Sequence, residues 1–146
     1  MNQEVYDYDE KSARQYIFIS AGREEILKSV RFDKIGVNVY NLVLGDLSPD
    51  NSINDTSKSN NGDIRKTMAT VISIIGAFTE KNPQANILFT GEPNRVRLYR
   101  RILKTHHAAF SKEFMIWTFS LRPRIERIIF DPASTEDYNF FLIKRI

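Results

Sequence analysis

Residues Asn60–Lys104, NNGDIRKTMATVISIIGAFTEKNPQANILFTGEPNRVRLYRRILK, hold an Asn-Gly-Asp turn, an apolar helix, a short strand, a glycine-containing turn and a basic helix. Asn61 or Asp63 can accept hydrogen bonds from the N–H groups that open a helix, and a carboxylate there suits the positive end of the helix dipole. Ile64, Met68, Val71, Ile72, Ile75 and Phe78 then recur at helical spacing and mark a buried stripe. Asn82-Pro83 stops that helix. Ala85–Phe89 is short and bounded by Pro83 and Gly91, so it reads as a strand covered on at least one face. Thr90–Asn94 turns the chain, Pro93 suits the first helical position, and the second helix is expected to run to about Ala109.

Working outward towards the N-terminus, Gln15–Ala21 (QYIFISA) is β-branched and aromatic and reads as a strand ending at Gly22. In Ile26–Ile35 the residues Ile26, Val30 and Phe32 share one parity, while Ser29, Arg31 and Asp33 take the other, as in a half-buried strand. Gly36 turns the chain into Val37–Leu44, apolar on both parities towards its end. These three strands are expected to form an antiparallel meander. Residues 1–14 are polar apart from Tyr6 and Tyr8 and read as an arm that is loose or lies along an edge. Residues 46–61, rich in Ser, Asn, Asp, Pro and Thr, bury too little apolar surface to offset their ordering entropy and read as a mobile surface loop.

Towards the C-terminus, Met115, Trp117, Phe119 and Leu121 alternate with Ile116, Thr118 and Ser120 in a strand with one fully apolar face. Ile125–Phe130 and Phe140–Arg145 are two more strands, separated by the Asp131-Pro132 turn and a polar segment. The order is β-β-β-α-β-α-β-β-β with no repeat and no linker, so residues 1–146 are expected to form one α+β domain. Both helices are expected to pack on one face of a mixed, largely antiparallel sheet.

Composition bounds what such a domain can do. At 146 residues and 17.0 kDa the chain is long enough to bury a real core without disulfides or a structural metal. Cysteine is absent, which removes thiolate catalysis and zinc-thiolate sites and fits a reducing compartment, so a cytoplasmic location is the expectation. No run approaches the ~18 apolar residues of a membrane span. The net charge of +3 is mild because 21 basic residues face 18 acidic ones. Placement is uneven, with bases concentrated at Arg95–Lys104 and Arg122–Arg127.

Advancing about 100° per residue from Asn94, the residues Val96, Tyr99, Ile102, Leu103 and His106 gather in one arc of the second helix, and Arg97, Arg101 and Lys104 gather on the opposite side. The plain reading of that stripe is a solvated helix face; the sharper one is a contact surface for nucleic-acid phosphates or a protein partner. Arg95 falls at the margin of the apolar arc, where a guanidinium needs a carboxylate or carbonyl. Asp46, at a strand end, and Asp63, at a helix start, are its expected partners. The group Asp46, Asp63 and Arg95 is either a structural joint or an anion site at the start of the second helix, near Gly91.

Four short pieces carry a resemblance that spans nearly the whole chain. They are Tyr40-Asn41-Leu42 leading into Gly45-Asp46; Asn61-Gly62-Asp63; Ala69-Thr70-Val71; and Gly91 with Arg95, Leu98, Tyr99 and Arg100. In these the chain resembles a family of short bacterial proteins of unknown function. The resemblance implies no activity, and the family's recurring Asp and Arg positions coincide with the pairing expected for Arg95.

Common catalytic signatures are missing: there is no Walker A loop, GxGxxG, GxSxG, HExxH or zinc-ligand spacing. His106 and His107 point about 100° apart on a helix, poor geometry for a shared metal. The sequence therefore nominates no catalytic residue, metal or cofactor. The leading expectation is a non-enzymatic cytosolic binding protein, with a protein or nucleic-acid partner met through Arg97, Arg101 and Lys104, in the manner of a toxin–antitoxin or defence component. The alternative is a metal-dependent phosphoesterase or nuclease centred on Asp46, Asp63 and Arg95, with Lys66 beside Asp63.

Overall fold

The structure, a computed structural model, describes residues 4–50, 52–54, 61–90, 93–120, 125–134 and 140–146. In chain order the elements are β1 (Tyr8–Ser12), β2 (Gln15–Ala21), β3 (Glu25–Gly36), β4 (Val39–Leu47), β5 (Ile53–Asn54), α1 (Ile64–Lys81), β6 (Asn86–Phe89), α2 (Pro93–Thr105), α3 (His107–Phe110), β7 (Phe114–Ser120), β8 (Glu126–Ile129) and β9 (Phe141–Arg145). Among the described residues strand outweighs helix, and three helices stand where two were expected. The sheet pairing is mixed: β4 with β6 is parallel, while β1–β2, β2–β3, β4–β5, β6–β9, β7–β8 and β7–β9 are antiparallel. Packing divides the chain into two compact units, Met1–Asp33 with Leu42–Lys81 and Lys34–Asn41 with Asn82–Ile146. Both β3 and β4 contribute residues to each unit, so no shift in composition marks the division.

In the first unit the arm lies along a strand edge, where β1 pairs with β2. The anchors are the two aromatic residues of the polar arm: Tyr6 stacks on Phe18 at 5.9 Å and Tyr8 meets the edge of Tyr16 at 6.0 Å. Helix α1 packs Phe78 flat on Phe32 of β3, with ring centroids 4.0 Å apart. Its buried stripe is turned slightly from the expected one. Ile74 is fully buried with Met68, Val71, Ile75 and Phe78, whereas Ile64, in the first turn, is 50% exposed. Each large apolar side chain fully buried here stabilises by about 1.5–3 kcal/mol. Thr70 and Thr79 sit inside the stripe because their hydroxyls donate to the carbonyls of Lys66 and Ile75 one turn back.

The segment expected as a loop over 46–61 is partly strand. Asp46 and Leu47 belong to β4 and pair with Asn54 and Ile53 of β5. Between them Asp50 accepts from the backbone N–H and hydroxyl of Ser52, an Asx turn that closes the hairpin with the Ser48 N–H to Ser52 carbonyl bond. Residue 51 and residues 55–60 lie outside the described residues.

In the second unit the β3–β4 turn falls at Val37-Asn38 and not at Gly36. Asn38 takes φ +54°, the left-handed region that asparagine tolerates better than most side chains, and β4 therefore starts at Val39. The Asn38 carbonyl accepts the backbone N–H of Asn86, which sets β6 parallel to Val39–Asn41. Strand β9 returns between β6 and β7, giving the order β4-β6-β9-β7-β8. On one face Ile87, Phe89, Ile116, Phe141 and Ile143 are buried, and Tyr99 of α2 lies against Phe89 at 5.0 Å. The second helix stops at Thr105 instead of continuing to Ala109. The Thr105 hydroxyl donates back to the Arg101 carbonyl, His106 takes a non-helical φ, ψ of −106°, 16°, and α3 starts anew.

Candidate functional site

The Asn-Gly-Asp segment opens α1 within the first unit. Asp63 accepts the first intrahelical bond at its carbonyl, from the Thr67 N–H at 2.9 Å. Its carboxylate Oδ2 accepts from three hydroxyls: Ser20 at 2.5 Å, Tyr6 at 2.6 Å and Thr67 at 3.2 Å. Burial raises the carboxyl pKa, but the Ser20, Tyr6 and Thr67 hydroxyls together outweigh it and hold Asp63 below the usual aspartate value. Burial raises the Tyr6 phenol, and its hydrogen bond to the Asp63 carboxylate raises it further. The Tyr6 oxygen in turn accepts the Ala21 N–H at 3.1 Å.

Asn61 is only 5% exposed and completes the joint. Its Nδ2 donates to the Ser20 hydroxyl and to the Glu24 carbonyl, its Oδ1 accepts the Glu24 N–H, and its carbonyl accepts the Arg23 N–H. Gly22 lies against that carbonyl so closely that an added Cβ would stand 1.8 Å from the oxygen. The segment thus bolts the β2–β3 turn to the start of α1. Such a joint is poorly suited to acid–base catalysis: a carboxyl held below its usual pKa is a weak base, and the Ser20 hydroxyl is completely buried.

Asp46 meets a residue that sequence reasoning passed over. Lys28 of β3 donates its Nζ to Asp46 Oδ1 at 2.5 Å, with only 10% of the lysine side chain exposed. The signal was available, because Lys28 takes the apolar parity of Ile26, Val30 and Phe32, and Asp46 takes that of Leu42 and Leu44. Ser20, Tyr6 and Thr67 were also missed. Tyr6 was the most legible of them, an aromatic residue in an otherwise polar arm. Lys66, nominated for the hydrolase alternative, places its Nζ over the Tyr6 ring, 4.4 Å from the centroid.

Asp46 and Asp63 therefore have separate partners within the first unit. The backbone of Arg95 falls in α2, and its side chain, with the proposed pairing to either aspartate, lies outside the described residues. Among the described residues no group of three or more His, Asp or Glu side chains is placed to hold a metal. Among them also, no helix is long and apolar enough to cross a membrane.

The cationic stripe takes the arrangement read from its angles. On α2, Val96, Tyr99 and Leu103 are buried and Ile102 is half-buried, while Arg97, Arg101 and Lys104 are exposed. Arg100 lies between the two arcs and donates Nη2 to the Ser134 carbonyl at 3.0 Å, tying α2 to the turn after β8. Asp and Glu are absent from Pro93–Thr105. Like charges at Arg97–Arg101 and Arg101–Lys104 spacing each oppose the helix by a few tenths of a kcal/mol, and no acid on the same helix offsets them.

No curated protein and no solved structure matches the chain. The sequence profile of DUF6934, a family of unknown function, matches residues 2–146, and the chain belongs to that family.

Proposed function

We propose that this chain is a non-enzymatic binding protein whose α2 helix contacts the sugar–phosphate backbone of nucleic acid. The observation that carries the reading is the exposure of Arg97, Arg101 and Lys104 on one face of a helix that holds no acidic residue. A solvated helix face ordinarily mixes both signs of charge, which adds stability through pairs one turn apart. Anions outside the helix relieve such repulsion, and regularly spaced phosphates are anions of that kind. Lys104 in the last turn is also favoured by the helix dipole.

The phosphoesterase alternative has no comparable support. The Asp63 carboxylate is held by three hydroxyls, and Asp46 pairs with Lys28.

Fluorescence anisotropy with a labelled oligonucleotide at low salt tests the binding reading. Wild type is expected to bind, and Arg101→Ala/Lys104→Ala to bind at least tenfold more weakly with an unchanged circular dichroism spectrum. Absence of binding at low salt, or equal affinity of the two proteins, contradicts it.

A further inference from the structure

In the second unit the helix-bearing face of β6, β9 and β7 is buried through Ile87, Phe89, Phe141, Ile143, Ile116 and Thr118, but the opposite face is not. The strand registers line up a row across five strands, Asn41, Leu88, Leu142, Trp117 and Ile129. Every member of the row is at least partly exposed, up to 63% at Ile129, although four are apolar. One step along the strands, Asn86, Lys144 and Met115 align in a second row, with Met115 37% exposed. One step the other way, Phe119 faces Arg127, and its ring lies 4.9 Å from that of Phe140.

Trp117, Phe119 and Phe140 thus form a half-exposed aromatic group on an open sheet. The Arg127 guanidinium sits 4.5 Å from the centroid of the Trp117 ring. An apolar face of this kind on a soluble domain ordinarily marks a contact surface. Among the described strand positions on this face, Arg127 and Lys144 are charged and no carboxylate is present.

We infer that this face is a platform for single-stranded nucleic acid, its bases stacked on Trp117, Phe119 and Phe140 and its phosphates met by Arg127 and Lys144. Stacking on aromatic side chains combined with a cationic margin is how open sheets hold unpaired bases. Trp117 and Phe119 are two residues apart on β7, so their rings stand roughly 7 Å apart. That is about twice the ~3.4 Å between bases along one strand, so each ring can take a separate, unstacked base. The half-exposed amides of Asn41 and Asn86 lie at the β4–β6 margin, with Thr90 Oγ1 donating to Asn41 Oδ1.

A second copy of the chain is a poorer occupant. A two-fold pairing of the face would bring Arg127 and Lys144 of both copies together in a desolvated interface where these strands supply no acid. The inference does not rest on α2: that helix packs on the Phe89 side of the strands, so its cations lie on the opposite side of the unit.

Trp117 is the sole tryptophan of the chain, so its emission reports on this face. The test titrates the full-length protein at low salt with a twelve-residue oligothymidylate, and in parallel with tripolyphosphate and with phosphatidylserine vesicles. The expected result is saturable quenching by the oligonucleotide alone. Affinity should fall about tenfold or more in Phe119→Leu, which keeps apolar bulk but loses the ring, and in Phe140→Leu. The quenching should persist in Arg101→Ala/Lys104→Ala.

Absence of quenching overturns the inference. So does equal quenching by tripolyphosphate, a response to vesicles in place of the oligonucleotide, or an emission change that tracks protein concentration alone, as a second copy would produce. Oligonucleotide binding by anisotropy that α2 variants abolish, without any change at Trp117, would leave the α2 reading standing and this one refuted.

Discussion

Replacing Gly22 with alanine tests the joint between the β2–β3 turn and α1. The new Cβ would stand 1.8 Å from the Asn61 carbonyl oxygen and 2.8 Å from its carbon, both backbone atoms of a buried residue. Carbon and oxygen approach to about 3.3 Å at closest, so one backbone must move by roughly 1.5 Å. Three bonds cross this contact: Arg23 N–H to the Asn61 carbonyl at 2.8 Å, Glu24 N–H to Asn61 Oδ1 at 2.9 Å, and Asn61 Nδ2 to the Glu24 carbonyl at 2.8 Å. A shift of that size breaks them, at about 1 kcal/mol each. The reduced freedom of the unfolded chain on Gly→Ala returns less than about 1 kcal/mol. The net loss is about 2–2.5 kcal/mol, or a fall in Tm of roughly 5–10 °C for a chain of this size. Thermal and urea unfolding followed by circular dichroism measure it. Asn61→Ala removes the side-chain bonds of the same joint, so the double variant should lose at least about 1 kcal/mol less than the sum of the singles. A Gly22→Ala protein within about 0.5 kcal/mol of wild type, or strict additivity with Asn61→Ala, would refute the joint.

The Asp63 carboxyl is held below its ordinary value, so in acid the unfolded chain binds the proton first and stability is lost as pH falls through the folded pKa, while above the ordinary value of 3.8 its contribution is complete. Asp63→Asn should therefore be less stable at neutral pH and show a flatter loss of stability on acidification, read from urea midpoints between neutral pH and pH 2.5. The Tyr16 hydroxyl is buried and has no hydrogen-bond partner among the described residues, so Tyr16→Phe should leave stability unchanged or raise it by up to about 1 kcal/mol; a loss above that in denaturant titration would contradict the packing. For Lys28 and Asp46, a cycle of Lys28→Met and Asp46→Leu should give a coupling of about 1–3 kcal/mol, the single Asp46→Leu being the most destabilised; additivity would remove the pair.

The alternation of apolar residues made most strands legible, and the Asn61-Gly62-Asp63 turn ahead of the apolar periodicity marked the start of α1, although neither side chain takes the expected helix N–H: Asn61 Oδ1 accepts the Glu24 N–H and Asp63 Oδ2 accepts hydroxyls. Ends and partners were harder. Thr105 looks like ordinary helix, and the break comes at His106, whose φ, ψ of −106°, 16° no residue type there announces. Angular counting puts Ile64 inside the stripe and Ile74 outside it, whereas the structure buries Ile74 and leaves Ile64 50% exposed. The basic stripe of α2 was fully legible, since exposure follows directly from its angles. Asp63 reads from the sequence as a cap for helix N–H groups, but its carboxylate accepts hydroxyls, and two of the three, from Ser20 of β2 and Tyr6 of the arm, lie 43 and 57 residues away, separations that no local pattern encodes. The aromatic face was half legible: the alternation in β7 was evident, but the row through Leu88, Leu142 and Ile129 depends on β9 returning between β6 and β7.

The salt dependence of oligonucleotide affinity, compared between wild type and Arg97→Ala/Arg101→Ala/Lys104→Ala, tests most directly whether α2 meets phosphates. With three cations each neutralising one phosphate of a single strand, the plot of log affinity against log salt should be shallower in the triple variant by roughly 2 (3 × 0.7). Coincident slopes, or an affinity indifferent to salt in both proteins, would contradict it.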